Sequence, residues 1–320
     1  MIPKSILVTG GAGFIGSEFI RKIVKENFYS KIFIIDKLTY AADLSRITKE
    51  LEISGVELII ADIAETSKYE KILSKIEVVV HFAAESHVDN SINDGMPFLK
   101  SNITGTYTLL NSIRHNSDAR TIIVSTDEVY GSLDIGEFSE TSPLNGSSPY
   151  SASKAAADLL ALAQFKTFAQ DIVITRSCNN YGPMQNPEKY IPKLIKNILA
   201  NQEVPIYGKG TNIREWIHVS DHVAALIKLI STGRSGEIYN IGTGERFTNL
   251  EVLNIIKNII NRDVKINFVT DRLGHDYRYA LNSSKIKSLI DWNPSHLFVD
   301  GIRDLINFEI YKFENSGIYS

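Results

Sequence analysis

Cysteine is nearly absent from this chain: among 320 residues, Cys178 stands alone. A single thiol forms no internal disulfide and supplies no multi-cysteine zinc site, and no metal centre is expected. An excess of either charge is also lacking. The 34 Lys and Arg residues face 37 Asp and Glu, for a formal net charge of −3 and a pI near 6.2. That balance gives nucleic acid or an anionic membrane nothing to hold. No apolar run approaches the roughly 20 residues of a membrane span, and repeats, low-complexity linkers and long charge runs are missing. The chain opens almost at once on a strand-like segment rather than a targeting peptide, so a soluble cytoplasmic protein is expected. What is present is an ordinary globular composition, 43% hydrophobic and 22% charged. The length suits one large domain or two of ordinary size.

Ser5-Ile6-Leu7-Val8-Thr9 reads as a short apolar strand. It runs into Gly10-Gly11-Ala12-Gly13-Phe14-Ile15-Gly16-Ser17, and a helical pattern covers Glu18 to Lys25. Glycine at 10, 13 and 16 permits a tight turn, close approach of backbone to a pyrophosphate, and close helix–strand contact. Free amides at the helix start suit a phosphate pair. A second strand, Lys31 to Ile35, ends at Asp36, about 20 residues past the loop. A carboxylate there binds adenosine ribose hydroxyls and repels a 2′-phosphate, so NAD rather than NADP is the expected cofactor. Val56 to Ala61 is a third strand ending at Asp62, which suits either the adenine edge or a cap for the next helix. Val78 to Phe82 is a fourth, leading to Ala83-Ala84-Glu85-Ser86-His87-Val88-Asp89, whose alanines let a flat cofactor lie against the backbone. His81 reads as a packed core histidine; His87 reads equally as a ligand residue or a plain loop position. A helix around Phe98 to Arg114 precedes a fifth strand, and Asp171 to Arg176 gives a sixth. This alternation specifies a parallel, doubly wound α/β sheet of Rossmann type with right-handed crossovers.

The fifth strand, Arg120 to Val124, delivers Ser125-Thr126-Asp127-Glu128-Val129-Tyr130 to its carboxyl end, where open α/β sheets place ligands. Further on, Ser148-Pro149 introduces a strongly apolar helix that carries Tyr150 and Lys154. Residues four apart share a helix face, so phenol and ammonium address one site. The ammonium is expected to lower the tyrosine pKa from its usual value near 10. Tyr150 then serves as base for a sugar or alcohol hydroxyl while NAD takes hydride from the same carbon. Oxidation alone has no use for Asp127 and Glu128. An acid that protonates a departing hydroxyl, beside a carboxylate that takes a proton from the neighbouring carbon, performs an elimination. Capping of the following turn is the structural alternative.

From about residue 185 the regularity changes. Short helices near Pro192 to Ala200, Val219 to Ile230, Leu250 to Ile260 and Ser284 to Ile290 alternate with short strands and polar loops. The expected division is an NAD-binding domain over 1–184 and a smaller, interleaved substrate-binding lobe over 185–320. Loops of that lobe carry Lys189, Arg214, Arg272, His275 and Arg278, donors suited to a diphosphate.

On these motifs the chain resembles the extended short-chain dehydrogenase/reductases, and within them the nucleotide-sugar 4,6-dehydratases, nearest to the dTDP-glucose branch. The resemblance is carried by Gly10 to Ser17, Asp36-Lys37-Leu38-Thr39-Tyr40, Ala83 to Asp89, Ser125 to Gly131, Ser148 to Lys154, Asn179-Asn180-Tyr181-Gly182-Pro183, Pro187-Glu188-Lys189 and Asp271-Arg272-Leu273-Gly274-His275-Asp276. It implies oxidation at C4 of a nucleotide-diphosphate glucose by Tyr150, with Thr126 and Lys154. Water is then lost across C5 and C6 with Glu128 as base and Asp127 as acid, and hydride returns to C6, for deoxysugar (rhamnose) biosynthesis. NAD contacts are implied at Gly10, Gly13, Phe14, Ile15, Gly16, Asp36, Lys37, Leu38, Thr39, Asp62, Ile63, Ala83, Ala84, Ser86, Ser101, Tyr150, Lys154 and Asn180. Substrate contacts are implied at His87, Thr126, Asn179, Lys189, Tyr190, Pro205, Tyr207, Arg214, Asn249, Arg272 and His275. Asn90, Asn186 and Leu273 stand where the family usually has an arginine, an aromatic and a proline. Asn90 is also similar to the UDP-glucose 4,6-dehydratases, so a UDP-glucose enzyme is the alternative, with a nucleotide-sugar 4-epimerase behind it. A homodimer through the Tyr150 helix and the helix near residues 98 to 114 is implied as well.

Overall fold

The computed structural model describes residues 4–315, so the outermost ends of the two expected lobes lie outside the described residues. Apolar, β-branched runs form the first six strands: β1 (Ser5–Thr9), β2 (Lys31–Asp36), β3 (Val56–Ile60), β4 (Val78–His81), β5 (Arg120–Thr126) and β6 (Ile172–Ser177). In β1, β4 and β6 every residue is buried, as expected of strands covered on both faces. The later strands are shorter: β7 (Asn179–Tyr181), β8 (Val204–Tyr207), β9 (Ile213–His218), β10 (Ile238–Ile241), β11 (Arg246–Thr248) and β12 (Ile266–Val269). One seven-stranded sheet runs β10-β6-β5-β4-β1-β2-β3, parallel throughout. Its order reverses between β1 and β4, which opens a crevice above their carboxyl ends.

The chain after residue 185 crosses back into this sheet. β10 pairs with β6 in the register Ile238↔Ile174, and helix Val219–Thr232 packs beside helix Phe14–Lys25. The rest builds a separate apolar core from helices Tyr190–Leu199, Asn249–Ile260 and Phe298–Asn315, centred on Ile195, Trp216, Ile256, Phe298 and Ile302. Two small sheets, β11-β9-β7 and β12-β8, complete this part, and Asn179, Pro205, Trp216 and Val269 from their strands line one cleft.

Helix Pro149–Phe168 has a reciprocal cap. The Ser148 hydroxyl accepts the Ser151 amide and the Ser151 hydroxyl accepts the Ser148 amide, with Pro149 at the first helical position. Tyr150, Lys154 and Asp158 fall on successive turns of one face, all buried. Two expectations shift. The first helix begins at Phe14 rather than Glu18, directly after the Gly13 cap. The helix expected around Phe98 to Arg114 runs unbroken from Met96 to Asn116, but its stretch Leu99–Gly105 is π-helical. That widened turn lets Asn102 exchange hydrogen bonds with the Glu85 backbone and reach Ser153, tying it to the crevice wall.

Candidate active site

The crevice between β1 and β4 is shaped by absent side chains. Gly10 has φ +71°, and a Cβ there would lie 2.6 Å from Ala83 N. A Cβ on Gly16 would run into Gly10 O. Helix Phe14–Lys25 starts at Gly13 without a side-chain cap, and Phe14, Ile15 and Gly16 line the cavity. Uncapped amides at a helix start on a bare glycine loop fit a dinucleotide's diphosphate. Asp36 accepts Ala12 N at 2.9 Å and Leu38 N at 2.8 Å, one bond per oxygen, and each oxygen retains a lone pair for a ribose hydroxyl. The Lys37 ammonium sits 2.9 Å from Ser101 Oγ and 3.4 Å from Glu85 Oε1. Asp36, Lys37, Thr39, Ile63, Ala83, Ala84 and Ser101 line this end of the crevice, and Ser86 and Asn180 the other. Leu38 and Asp62 do not line it. Asp62 accepts the Ala64 amide at 3.0 Å in a local turn and does not cap the next helix either, which starts at Thr66 behind Glu65. The residues present fit NAD.

Beyond the crevice, β5 ends at Thr126. Its hydroxyl accepts the Glu128 amide and lies 3.3 Å from Asp127 Oδ1. Thr126 therefore caps the turn Asp127–Tyr130 itself, and the two carboxylates are left free of that task. Asp127 is 1% exposed, and its Oδ2 has no partner among the described residues. Burial pushes its carboxyl well above the usual range, and the Glu128 and Glu215 carboxylates push the same way. Burial raises Glu128 too, but Arg272, Arg214 and Lys189 all pull it back. Burial thus raises both adjacent carboxyls; neighbouring carboxylates add to the shift at Asp127, whereas three cations offset part of it at Glu128. Tyr150 and Lys154 line the same cavity.

The expected action of Lys154 on the Tyr150 phenol is not found. Its ammonium donates to Val124 O at 2.8 Å, sideways toward β5. The phenol's pKa is raised above the tyrosine range, by burial first and then by the Glu128 carboxylate, while a hydrogen bond with Thr126 opposes the shift. Sharing a helix face brought the two residues into one cavity but did not aim one at the other.

A larger cleft of about 810 Å³ continues from Glu128 between the sheet and the second core. His87, Asn179, Lys189, Tyr190, Pro205, Tyr207, Arg214, Asn249, Arg272 and His275 all line it. His87 caps helix Val88–Asn93 through Nδ1. Lys189 Nζ donates to Ser86 O at 3.1 Å. Tyr190 donates to Asn249 O, and Tyr207 to Asp89. Arg272 Nε is buried without a partner among the described residues. Arg278 is not brought in; it donates to Gly136 O on the far side. His81 is core, held between Thr9 and Thr106 and kept neutral by burial, with its pKa pushed down to about 3.

Several residues of the site carry no local sequence signal. Arg214 stacks 4.2 Å over Tyr279, whose hydroxyl donates to the buried Asp276. Glu215 is fully buried, holding Gly244 N, Leu281 N and Arg246 Nε. Trp216 lines the cleft with its indole N–H unpartnered among the described residues. Its two-residue spacing from Arg214 on β9 was the one available clue.

A family model described as GDP-mannose 4,6 dehydratase matches residues 7–305. A dTDP-glucose 4,6-dehydratase of Actinoplanes sp. is 43% identical over 94% of this chain and 96% of its own. The structure of DesIV, a dTDP-glucose 4,6-dehydratase from Streptomyces venezuelae with NAD bound, superposes with TM-score 0.94 at 41% identity, covering 98% of each chain. A UDP-glucuronic acid 4-epimerase from Bacillus cereus superposes nearly as well, TM-score 0.91, but at 29% identity over 96% of this chain and 99% of that one. Backbone likeness is therefore shared across reactions, and the side chains at the end of β5 must separate them.

Proposed function

The chain belongs to the GDP-mannose 4,6 dehydratase family, and from that premise we propose that it is an NAD-dependent hydro-lyase converting dTDP-glucose to dTDP-4-keto-6-deoxyglucose. The observation that carries this reading is the pairing at the end of β5: Asp127, held as the acid by burial and two carboxylates, next to Glu128, ringed by three cations. NAD, when bound, supplies the hydride acceptor for C4 and the donor for C6, and brings a cationic ring to a corner whose own groups are anionic. Tyr150 takes the proton of the 4-hydroxyl, with Thr126 hydrogen-bonded to the phenol. Lys154, anchored on Val124 O, holds the cofactor ribose. Once C4 is a ketone the C5 hydrogen is acidic; Glu128 removes it, Asp127 gives its proton to the leaving 6-hydroxyl, and Glu128 returns the proton to C5 as C6 takes back the hydride. Arg214, Arg272 and Lys189 bind the diphosphate, and their charge favours the ionised form of Glu128 against its burial.

A 4-epimerase has no work for Asp127 and Glu128. For the base, Asn90 directs its amide to the Tyr40 hydroxyl at 3.1 Å and does not line the cleft, so that departure leaves the dTDP reading in place. The same proposal assigns residues up to about 184 to the cofactor and most later ones to the sugar nucleotide. It includes a cytoplasmic enzyme of deoxysugar, including rhamnose, biosynthesis. It includes a homodimer as well, for which Leu99, Tyr107 and Leu159, exposed on the two helical segments, supply apolar surface. The test is incubation with dTDP-glucose and UDP-glucose separately, followed by product mass. A product lighter by one water from dTDP-glucose is expected. No such product from either substrate, in folded NAD-loaded protein, overturns the assignment.

A further inference from the structure

Arg46 is a charged side chain with no part in the chemistry above, yet it is only 7% exposed. It lies at the end of the short 3-10 turn Leu44–Arg46, which Asp43 caps. Its guanidinium reaches three segments, two of them distant in sequence. Nη1 donates to Ala12 O in the glycine loop and to Ala41 O in the loop after β2, both at 3.1 Å. Nη2 donates to Asn186 Oδ1 at 2.7 Å, across 140 residues of sequence. Asn186 completes the ring by donating to Ala41 O at 3.3 Å.

These segments are walls of the cofactor crevice: Gly13, Ala41 and Asn186 line one cavity with Tyr150 and Lys154. Ala12 is fixed from both sides, its amide by Asp36 and its carbonyl by Arg46 and the Asp43 amide. Asn186 belongs to the loop whose Lys189 reaches Ser86 over the substrate cleft. Nη1 serves Ala12 and Ala41 while Nη2 serves Asn186, a planar spread over two nitrogens that the single nitrogen of a lysine does not reproduce.

We propose that the Arg46–Asn186 tie is a positioning device that holds the cofactor crevice closed and slows NAD release between turnovers. This rests on the NAD-dependent reading above. In that reaction one cofactor molecule is both oxidant and reductant and is restored at the end of each cycle. Slow release therefore carries no cost in flux, whereas release after the first half would strand an oxidised sugar.

The test measures NAD dissociation directly, by displacement from the loaded protein, alongside thermal unfolding. Arg46→Met removes the whole tie, Asn186→Ala removes its far end alone, and Asn186→Asp keeps an acceptor for the guanidinium. Loss of one charge-assisted hydrogen bond corresponds to about a tenfold faster release. That increase is expected for Arg46→Met and Asn186→Ala, with release near the wild-type rate in Asn186→Asp. Should Arg46→Met fail to fold, the two Asn186 variants decide the matter. A wild-type protein that holds NAD, with folded Asn186→Ala releasing it no faster, overturns the tie. A wild-type protein that holds no NAD overturns the cofactor reading and the tie with it.

Discussion

Glu128→Gln divides the proposed reaction in two, with effects of opposite sign. Glutamine keeps the shape of the side chain and loses its charge and basicity. A positioned general base contributes about 10²–10⁴ to the step it serves, so water loss slows by about that factor. Oxidation moves the other way. After burial, the Glu128 carboxylate is the largest influence raising the Tyr150 phenol, and it also raises Asp127. A tyrosine base works as phenolate, so oxidation rises with pH through the Tyr150 pKa. Removing Glu128 lowers that pKa and carries the rising limb toward acid. Rapid quenching with mass analysis separates the ketone that still holds its 6-hydroxyl from the dehydrated product. Wild-type enzyme should pass through the first without accumulation, while the variant should accumulate it and lose water slowly. Water loss at the wild-type rate, or an oxidation limb shifted to higher pH, would refute the reasoning.

Three further perturbations test the frame around that site. Gly16→Ala places a Cβ against Gly10 O and should abolish NAD binding while the far core of Ile195, Ile256 and Ile302 stays folded; calorimetric titration and circular dichroism report the two separately. Arg176→Met leaves Asp158, 0% exposed, without the Nε bond it accepts at 2.8 Å. Breaking a buried pair in this way costs about 3–5 kcal/mol, and a loss of unfolding free energy in urea titration of less than about a quarter of that would count against it. His81 and His222 are both pushed down to about 3 by burial, so the unfolded chain binds more protons between about 6.5 and that value. Their contribution to stability is full above about pH 6.5 and is lost as pH falls toward 3. Denaturation curves at pH 7 and 5 should show the drop, and His222→Gln should reduce its slope.

What could be read from the sequence was whatever local spacing encodes. The glycine loop, Asp36 at the end of β2, the Thr126-Asp127-Glu128 turn and the Tyr150–Lys154 face each depend on a few consecutive positions, and each lies where the pattern predicts. Direction was harder than position. The helix period placed Lys154 beside Tyr150, yet the Val124 carbonyl on β5 decided where its ammonium points. Residues whose role comes from distant partners were silent: Glu215 is held by Arg246, Gly244 and Leu281, and Tyr279 lies under the Arg214 guanidinium 65 residues away. Strand β10, four residues long, is recognisable only once β6 is there to pair with it. The C-terminal helix Phe298–Asn315 was missed although its apolar face closes the second core.

The central claim is that one site oxidises C4, removes water and reduces C6 with a single bound cofactor. dTDP-glucose carrying deuterium at C4 tests it most directly. The expected product is a 4-keto-6-deoxy sugar nucleotide with that deuterium in its C6 methyl group, lighter than the substrate by one water. Deuterium retained at C4 of an inverted sugar, or released to the bulk cofactor pool with the 6-hydroxyl intact, would contradict it.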